Sequence, residues 1–193
     1  MRKLALIMLA AGNSRRFGSN KLLYEIDGKP MYRHILEKLT IVAEKPEKQN
    51  SSYKEITVVT QYDEIEQEAR KSGAHVYRNP HPDEGISSSL KIGLKANLDM
   101  DACLFTVSDQ PWLTAETIFR LIELLETTGK GIACVSWEGK LGNPCIFTRK
   151  YYEELLSITG DRGGKSVITA HRDDTAVLKV KDEKEFTDMD VKL

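Results

Sequence analysis

Residues 4–21 read L-A-L-I-M-L-A-A-G-N-S-R-R-F-G-S-N-K. Leu4–Ala10 is an apolar run of the kind that forms a buried strand. It opens into a loop that holds Gly12, Ser14, Arg15, Arg16, Gly18 and Lys21. Glycine lets the main chain bend tightly and approach a ligand with no Cβ in the way. Successive exposed N–H groups form an anion nest, and guanidinium and ammonium groups add charge-assisted hydrogen bonds. A strand that ends in such a loop predicts a grip for a polyphosphate. A surface turn with chance basic residues is the alternative.

Outward from this stretch, apolar and helical segments alternate. Met31, Ile35, Leu36, Leu39 and Val42 recur at helical spacing behind Pro30, a residue suited to a first helical turn. Residues 44–54 are polar and read as a surface loop. Residues 55–60 predict a strand, 63–72 an exposed helix stopped by Gly73, and 74–77 a short strand. Ile86, Leu90 and Leu94 mark a helix, and 102–107 is a buried strand. Thr114 can cap a helix whose inner face is Ile118, Leu121, Ile122 and Leu125. Strands at 131–137, 144–148 and 176–180 and short helices at 151–158 and 165–171 complete the order. This alternation predicts βαβ units, hence an α/β fold with a mainly parallel sheet covered by helices on both faces. Ligands of such sheets bind beyond the carboxyl ends of the strands, where the basic loop and Ser108-Asp109-Gln110-Pro111 both fall. Residues 1–193 show no repeat and no second domain.

The chain has 193 residues, 40% hydrophobic and 30% charged, with a formal net charge of −1. That balance fits a folded protein with a real core and argues against a general nucleic-acid binder, which would carry a basic surplus. No apolar run approaches the roughly 20 residues of a membrane span. The first residues lack the apolar core of a secretory signal, so a cytoplasmic location is the default expectation. Cys103, Cys134 and Cys145 form no metal-binding spacing. Cys103 and Cys134 fall in predicted strands, which favours buried thiols over thiol catalysis.

The loop fits neither the P-loop G-x-x-x-x-G-K-[ST] nor the dinucleotide fingerprint G-x-G-x-x-G. Its pattern L-A-A-G-x-S-x-R-F-G-x-x-K instead resembles the signature of nucleotidyltransferases that activate sugars and cofactors. The form with two alanines before the glycine is most similar to the molybdenum cofactor cytidylyltransferases, whereas guanylyl-transferring relatives usually carry glycine where Ala11 stands. Further stretches carry the same resemblance. Asp109-Gln110-Pro111 matches a D-x-P motif whose aspartate is a metal ligand in that family. A strand-end carboxylate can hold magnesium together with substrate phosphates and waters, or it can merely order the turn before Pro111. Asp188-Met189-Asp190 matches the D-x-D part of a C-terminal metal-site segment and lacks the T-P that usually follows; a frayed acidic tail is the alternative.

Asn79-Pro80 through Gly85, Ser87, Ser88, Ser89 and Leu90 resembles the family's N-P…G-x-x-x-S-L segment, beside the nucleotide. Simple N-capping by Ser87 is the competing reading. His81 reads as a surface loop residue. Gly142-Asn143-Pro144 resembles a G-H-P motif with Asn143 in place of histidine, a change that keeps hydrogen bonding and loses protonation. Gly160-Asp161-Arg162-Gly163-Gly164-Lys165 resembles a G-D-x-G-A-R turn, in which Arg162 and Lys165 would meet an anionic acceptor or else decorate an exposed turn.

The resemblance covers the chain from Leu4 to Asp190 and implies a three-layer, Rossmann-like nucleotidyltransferase fold and a magnesium-dependent reaction. CTP would give CMP to the phosphate of a molybdopterin-type acceptor, with pyrophosphate leaving. Guanylyl transfer to molybdopterin, cytidylyl transfer to a sugar or polyol phosphate, and a non-catalytic nucleotide- or cofactor-binding protein are the alternatives. Arg16, Lys21 and Asp109 would carry catalysis, with Asp109 and Asp190 on the metal. Leu9, Ala10, Ala11, Gly12, Ser14, Arg15, Asn79, Gly85, Ser88 and Ser89 would hold the nucleotide. Gly142, Asn143, Pro144, Arg162 and Lys165 would face the acceptor. The product would pass to a molybdoenzyme or its chaperone.

Overall fold

Leu4–Ala10 alternates between two apolar environments, as a strand buried on both faces must. The computed structural model describes residues 3–13, 20–45 and 53–189. In chain order the strands are β1 (Lys3–Ala10), β2 (Glu25–Ile26), β3 (Lys29–Pro30), β4 (Tyr53–Thr60), β5 (His75–Arg78), β6 (Ala102–Val107), β7 (Ile132–Trp137), β8 (Lys140–Thr148) and β9 (Thr175–Lys179). The α-helices are α1 (Met31–Glu44), α2 (Asp63–Lys71), α3 (Ile86–Lys95), α4 (Ala115–Thr128), α5 (Tyr152–Ser157) and α6 (Lys165–Ala170). No helix among the described residues is long and apolar enough to cross a membrane.

Seven strands form one sheet in the order β5-β4-β1-β6-β8-β7-β9. Among these described strands β8 alone runs against its neighbours, antiparallel to both β6 and β7. Leu4, Leu6 and Met8 pack on one face with residues of α1, α2 and α4. Ala5, Ile7 and Leu9 pack on the other with residues of α3, α5 and α6. The fold is therefore a three-layer α/β arrangement, built on a mostly parallel sheet with helices on both faces.

Local chemistry explains the elements. The Thr114 side chain accepts from the Thr117 N–H at 3.1 Å and starts α4, while Gly129, in the left-handed region, ends it. The β7–β8 connection turns through Glu138 and Gly139, both at positive φ, as a tight hairpin requires. Cys103, Cys134 and Cys145 are buried and free. Burial pushes the Cys134 thiol up to about 11 and the Cys103 thiol up to about 12, so neither is a nucleophile near neutral pH.

The sheet also places the site. Ala10 lies beside Thr60 and Leu9 beside Val107, so the carboxyl ends of β4, β1 and β6 stand in line. Reversed β8 runs up to this same end, because Cys145 pairs with Phe105 and the Asn143–Pro144 step lies further along.

Candidate active site

The loop after β1 leaves the sheet under tight main-chain control. Thr60 Oγ1 donates to the Ala10 carbonyl at 2.9 Å. Gln61 Nε2 donates to the Ala11 carbonyl at 2.9 Å and to Asn13 Oδ1 at 2.8 Å. The Tyr62 hydroxyl donates to the Gly12 carbonyl at 2.7 Å. Three of these bonds tie the carbonyls of residues 10–12 to the segment from Thr60 to Tyr62. A Cβ at Gly12 would meet nothing within 4 Å, so packing does not demand glycine there; its missing side chain leaves open space.

Beyond the loop, Asn20 Oδ1 accepts from the Leu22 N–H at 3.1 Å and starts a single 3-10 turn, Lys21–Leu23. That turn aims Lys21 at the end of β6. Lys21 Nζ stands 2.7 Å from Asp109 Oδ2, the two side chains being 14% and 22% exposed. Partial burial shields this contact from salt screening more than a surface ion pair and leaves both groups reachable from the cleft. Ser108 holds the strand end, donating through its hydroxyl to the Leu9 carbonyl at 3.0 Å. On the far side of the turn, Lys38 donates to the Pro111 carbonyl. Burial lowers the Lys38 ammonium to about 8.

The opposite wall is the Asn79–Ser89 loop. Asn79 is 3% exposed. Its amide donates to Ser88 Oγ at 2.7 Å and to Ser89 Oγ at 2.8 Å, and its oxygen accepts from the His81 N–H at 2.8 Å. Asn79 and Ser88 thus clamp the loop from within, while Ser89 reaches the cleft. The N-cap of α3 is Gly85, and Ser87 lies inside the helix. A second segment completes the helix start: the Ile86 N–H donates to Asp161 Oδ1 at 3.4 Å, and the Ser87 N–H to the Gly160 carbonyl at 3.3 Å.

Gly85 has φ 87° and ψ −178°, a region open essentially to glycine alone. A Cβ there would lie 2.6 Å from the Gly160 carbonyl carbon. Gly85→Ala is therefore expected to cost about 2 kcal/mol or more from backbone strain alone. The midpoint of urea unfolding measures it, and an unchanged midpoint would contradict the packing.

Between these walls lies a cleft of about 420 Å³. Leu9, Ala11, Gly12 and Asn13 line one side, Asp83, Glu84, Gly85, Ile86 and Ser89 the other, and Lys21, Leu22, Val107, Ser108 and Asp109 the base. Gly160 and Asp161 close one end. Asn13 Nδ2 donates to Asp83 Oδ1 at 2.8 Å and bridges the two walls. Leu9, Leu22, Ile86 and Val107 give this cleft apolar surface beside the Lys21–Asp109 pair at its base, which suits a base-and-phosphate ligand.

The fold brings Leu9, Ala11, Gly12, Lys21, Gly85, Ser89 and Asp109 into this one cleft. Ala10 is fully buried in β1 beneath it. Ser14, Arg15, Arg16 and Asp190 lie outside the described residues. Arg162 and Lys165 are exposed and do not line the cleft, whereas their neighbours Gly160 and Asp161 do. Asn143 and Pro144 fall where the β7–β8 register shifts, and their peptide bond is cis. This bulge lies just beyond the last β6–β8 pair, Phe105 with Cys145, and outside the cleft lining. Gly142 packs against the Phe186 ring, which a Cβ at Gly142 would meet at 2.6 Å.

Sequence reading missed Gln61 and Tyr62, whose signal was their place at the carboxyl end of β4. It also missed Asn13, Asp83, Glu84 and Asp161, each adjacent to a glycine of a motif or within the 79–90 loop.

The family model of the MobA-like NTP transferase domain matches residues 6–175. A probable molybdenum cofactor guanylyltransferase of Pyrococcus horikoshii is 32% identical over 165 residues, spanning 83% of this chain and 75% of that protein. The purine catabolism protein PucB of Bacillus subtilis is 24% identical over 192 residues, spanning 95% of this chain and 90% of its own. Among solved structures, a nucleotidyl transferase from Methanothermobacter aligns with a TM-score of 0.77 at 19% identity, over 97% of this chain and 92% of that one.

Proposed function

We propose that this chain, which belongs to the MobA-like NTP transferase family and is a nucleotidyltransferase, transfers GMP from GTP to the phosphate of a molybdopterin-type acceptor. The observation that carries the transfer chemistry is the 2.7 Å approach of Lys21 and Asp109 at the base of the cleft. A polyphosphate with its cation presents both signs of charge, so each member of the pair can exchange its partner for a ligand group of opposite sign. Lys21 then holds phosphate oxygens, with Arg15 and Arg16 of the same loop adding charge. Asp109 would hold the cation.

The residues suit magnesium, which takes one or two carboxylates and fills its shell with phosphate oxygens and water. Asp109 would anchor the cation, and Asp190, which lies outside the described residues, is the second carboxylate that the resemblance implies. When bound, magnesium neutralises charge that develops on the phosphate oxygens. The acceptor's own phosphate attacks the α-phosphorus, the bond to the β-phosphate oxygen breaks, and pyrophosphate leaves with that electron pair. Such a step needs alignment and charge stabilisation, with no protein nucleophile. The rigid walls built on Asn79 and Gln61 supply the alignment.

GTP as donor is supported by the Pyrococcus horikoshii relative, described as a guanylyltransferase. CTP is the second reading, favoured by Ala11. Ala11 is among the residues that line the cleft, at the position where guanylyl-transferring relatives usually carry glycine. Pyrophosphate release with molybdopterin and each triphosphate in turn decides between them. The expected result is a kcat/KM about tenfold or more higher for GTP, a difference of about 1.4 kcal/mol. A CTP preference would transfer the assignment to the second reading. No release with any triphosphate would refute transfer to this acceptor.

A further inference from the structure

Gln110 follows Asp109 and is 3% exposed. Its Nε2 donates to Asp188 Oδ1 at 2.8 Å and to the Phe186 carbonyl at 3.4 Å. Two acceptors on that side fix the orientation of the amide, since the reverse would set Oε1 against a carboxylate. Oε1 itself is buried with no hydrogen-bond partner among the described residues.

What the amide holds is a strap. The Met189 N–H donates to the Asp109 carbonyl at 2.8 Å. Glu185 Oε2 accepts from the Thr114 hydroxyl at 2.8 Å and from the Thr114 N–H at 3.2 Å. Phe186 packs on Gly142, beside the Asn143–Pro144 bulge. The segment from Glu185 to Met189 thus runs along the whole turn that follows β6 and joins it to β8.

We propose that Gln110 is a positioning residue: its buried amide clasps the Phe186–Met189 strap to the Asp109 turn and keeps that carboxylate in register with the Gly142–Pro144 bulge. The proposal rests on the nucleotidyl-transfer reading above. Phosphoryl chemistry tolerates little misplacement, and an error of about 1 Å can cost a hundredfold in rate.

The test pairs turnover with amide hydrogen exchange at Met189, a readout that needs no activity. Gln110→Glu sets a second carboxylate against Asp188. It is expected to lower kcat by about tenfold to a hundredfold, with KM for GTP within about twofold. Exchange at Met189 should quicken by about tenfold or more as the strap lifts. Adding Asp188→Asn supplies an amide donor to the introduced carboxylate and should return both quantities to within about threefold of the unaltered protein. If Gln110→Glu folds poorly, Gln110→Ala serves: kcat should fall as far, and Asp188→Asn should give no rescue, because no donor–acceptor pair can re-form. An unchanged kcat and unchanged Met189 exchange in either variant would overturn the proposal. So would a double variant, Gln110→Glu with Asp188→Asn, as impaired as Gln110→Glu alone. If the unaltered protein transfers no nucleotide, the functional reading falls, and Met189 exchange alone still decides whether Gln110 holds the strap.

Discussion

Asp109→Ala is expected to lower metal-dependent pyrophosphate release by about 10²–10³-fold, the loss typical of removing one group aimed at developing charge. Asp109 sits in the cleft beside Lys21, 22% exposed, at the end of a strand held by Ser108 and by the Met189 N–H. Its carboxylate faces the cleft and not the core, so the fold should survive the change. The effect should concentrate in kcat and in the magnesium concentration needed for half-maximal rate. Asp109→Asn separates charge from shape: it keeps a hydrogen-bond acceptor for Lys21 and should remain nearly as slow as the alanine variant. Steady-state rates across a magnesium titration provide the check. Either variant turning over near the normal rate would remove Asp109 from the metal site.

Lys21→Ala should act on the ground state as well. A charge-assisted hydrogen bond to a phosphate oxygen is worth about 1.5–3 kcal/mol, so triphosphate affinity should fall by roughly tenfold to a hundredfold. The same change strips Asp109 of its 2.7 Å partner and leaves a partly buried carboxylate with extra negative potential facing the triphosphate. Lys21→Arg keeps the charge but exchanges a compact ammonium on a flexible stem for a planar fork, and should recover only part of the loss. Because Lys21 and Asp109 touch, their effects should not add, and the double variant should lose less than the product of the two single losses. Calorimetric titration with a non-hydrolysable triphosphate measures the affinity. An unchanged affinity in Lys21→Ala would dissociate this turn from the phosphates.

Much of this was legible in the residues. The apolar run Leu4–Ala10 and the β-branched run in β4 declared buried strands. The helical spacing of Ile118, Leu121, Ile122 and Leu125 declared the buried face of α4. The order of these elements implied a sheet with ligand-bearing ends, and a lysine and an aspartate at two such ends proved to be neighbours. What stayed hidden was set by contacts distant in sequence. The reversal of β8 follows from the Glu138–Gly139 hairpin and from pairing with both β6 and β7; local pattern carries no strand direction. N-capping of α3 by Ser87 was the competing reading, and the cap is Gly85 instead, with acceptors for the Ile86 and Ser87 N–H groups supplied by Asp161 and Gly160, some seventy-five residues on. The turn 160–165 was read for Arg162 and Lys165, yet it is Asp161 that faces the cleft, since the close Gly85–Gly160 contact fixes which part of the turn points inward. Asn79 looked like a ligand for the nucleotide, and its amide is taken up by Ser88, Ser89 and His81. Side chains that organise a loop resemble side chains that touch a substrate until their partners are known.

The basic turn after β1 and the aspartate after β6 should close on one cation-bound triphosphate. Crystals soaked with manganese and a non-hydrolysable GTP analogue test this most directly, through the anomalous signal of the ion. The expected peak lies at direct coordination distance from Asp109, about 2.0–2.2 Å for a small octahedral cation, shared with phosphate oxygens, and Lys21 is turned from Asp109 onto the phosphates. A triphosphate bound elsewhere, or a manganese peak that does not touch Asp109, would contradict it.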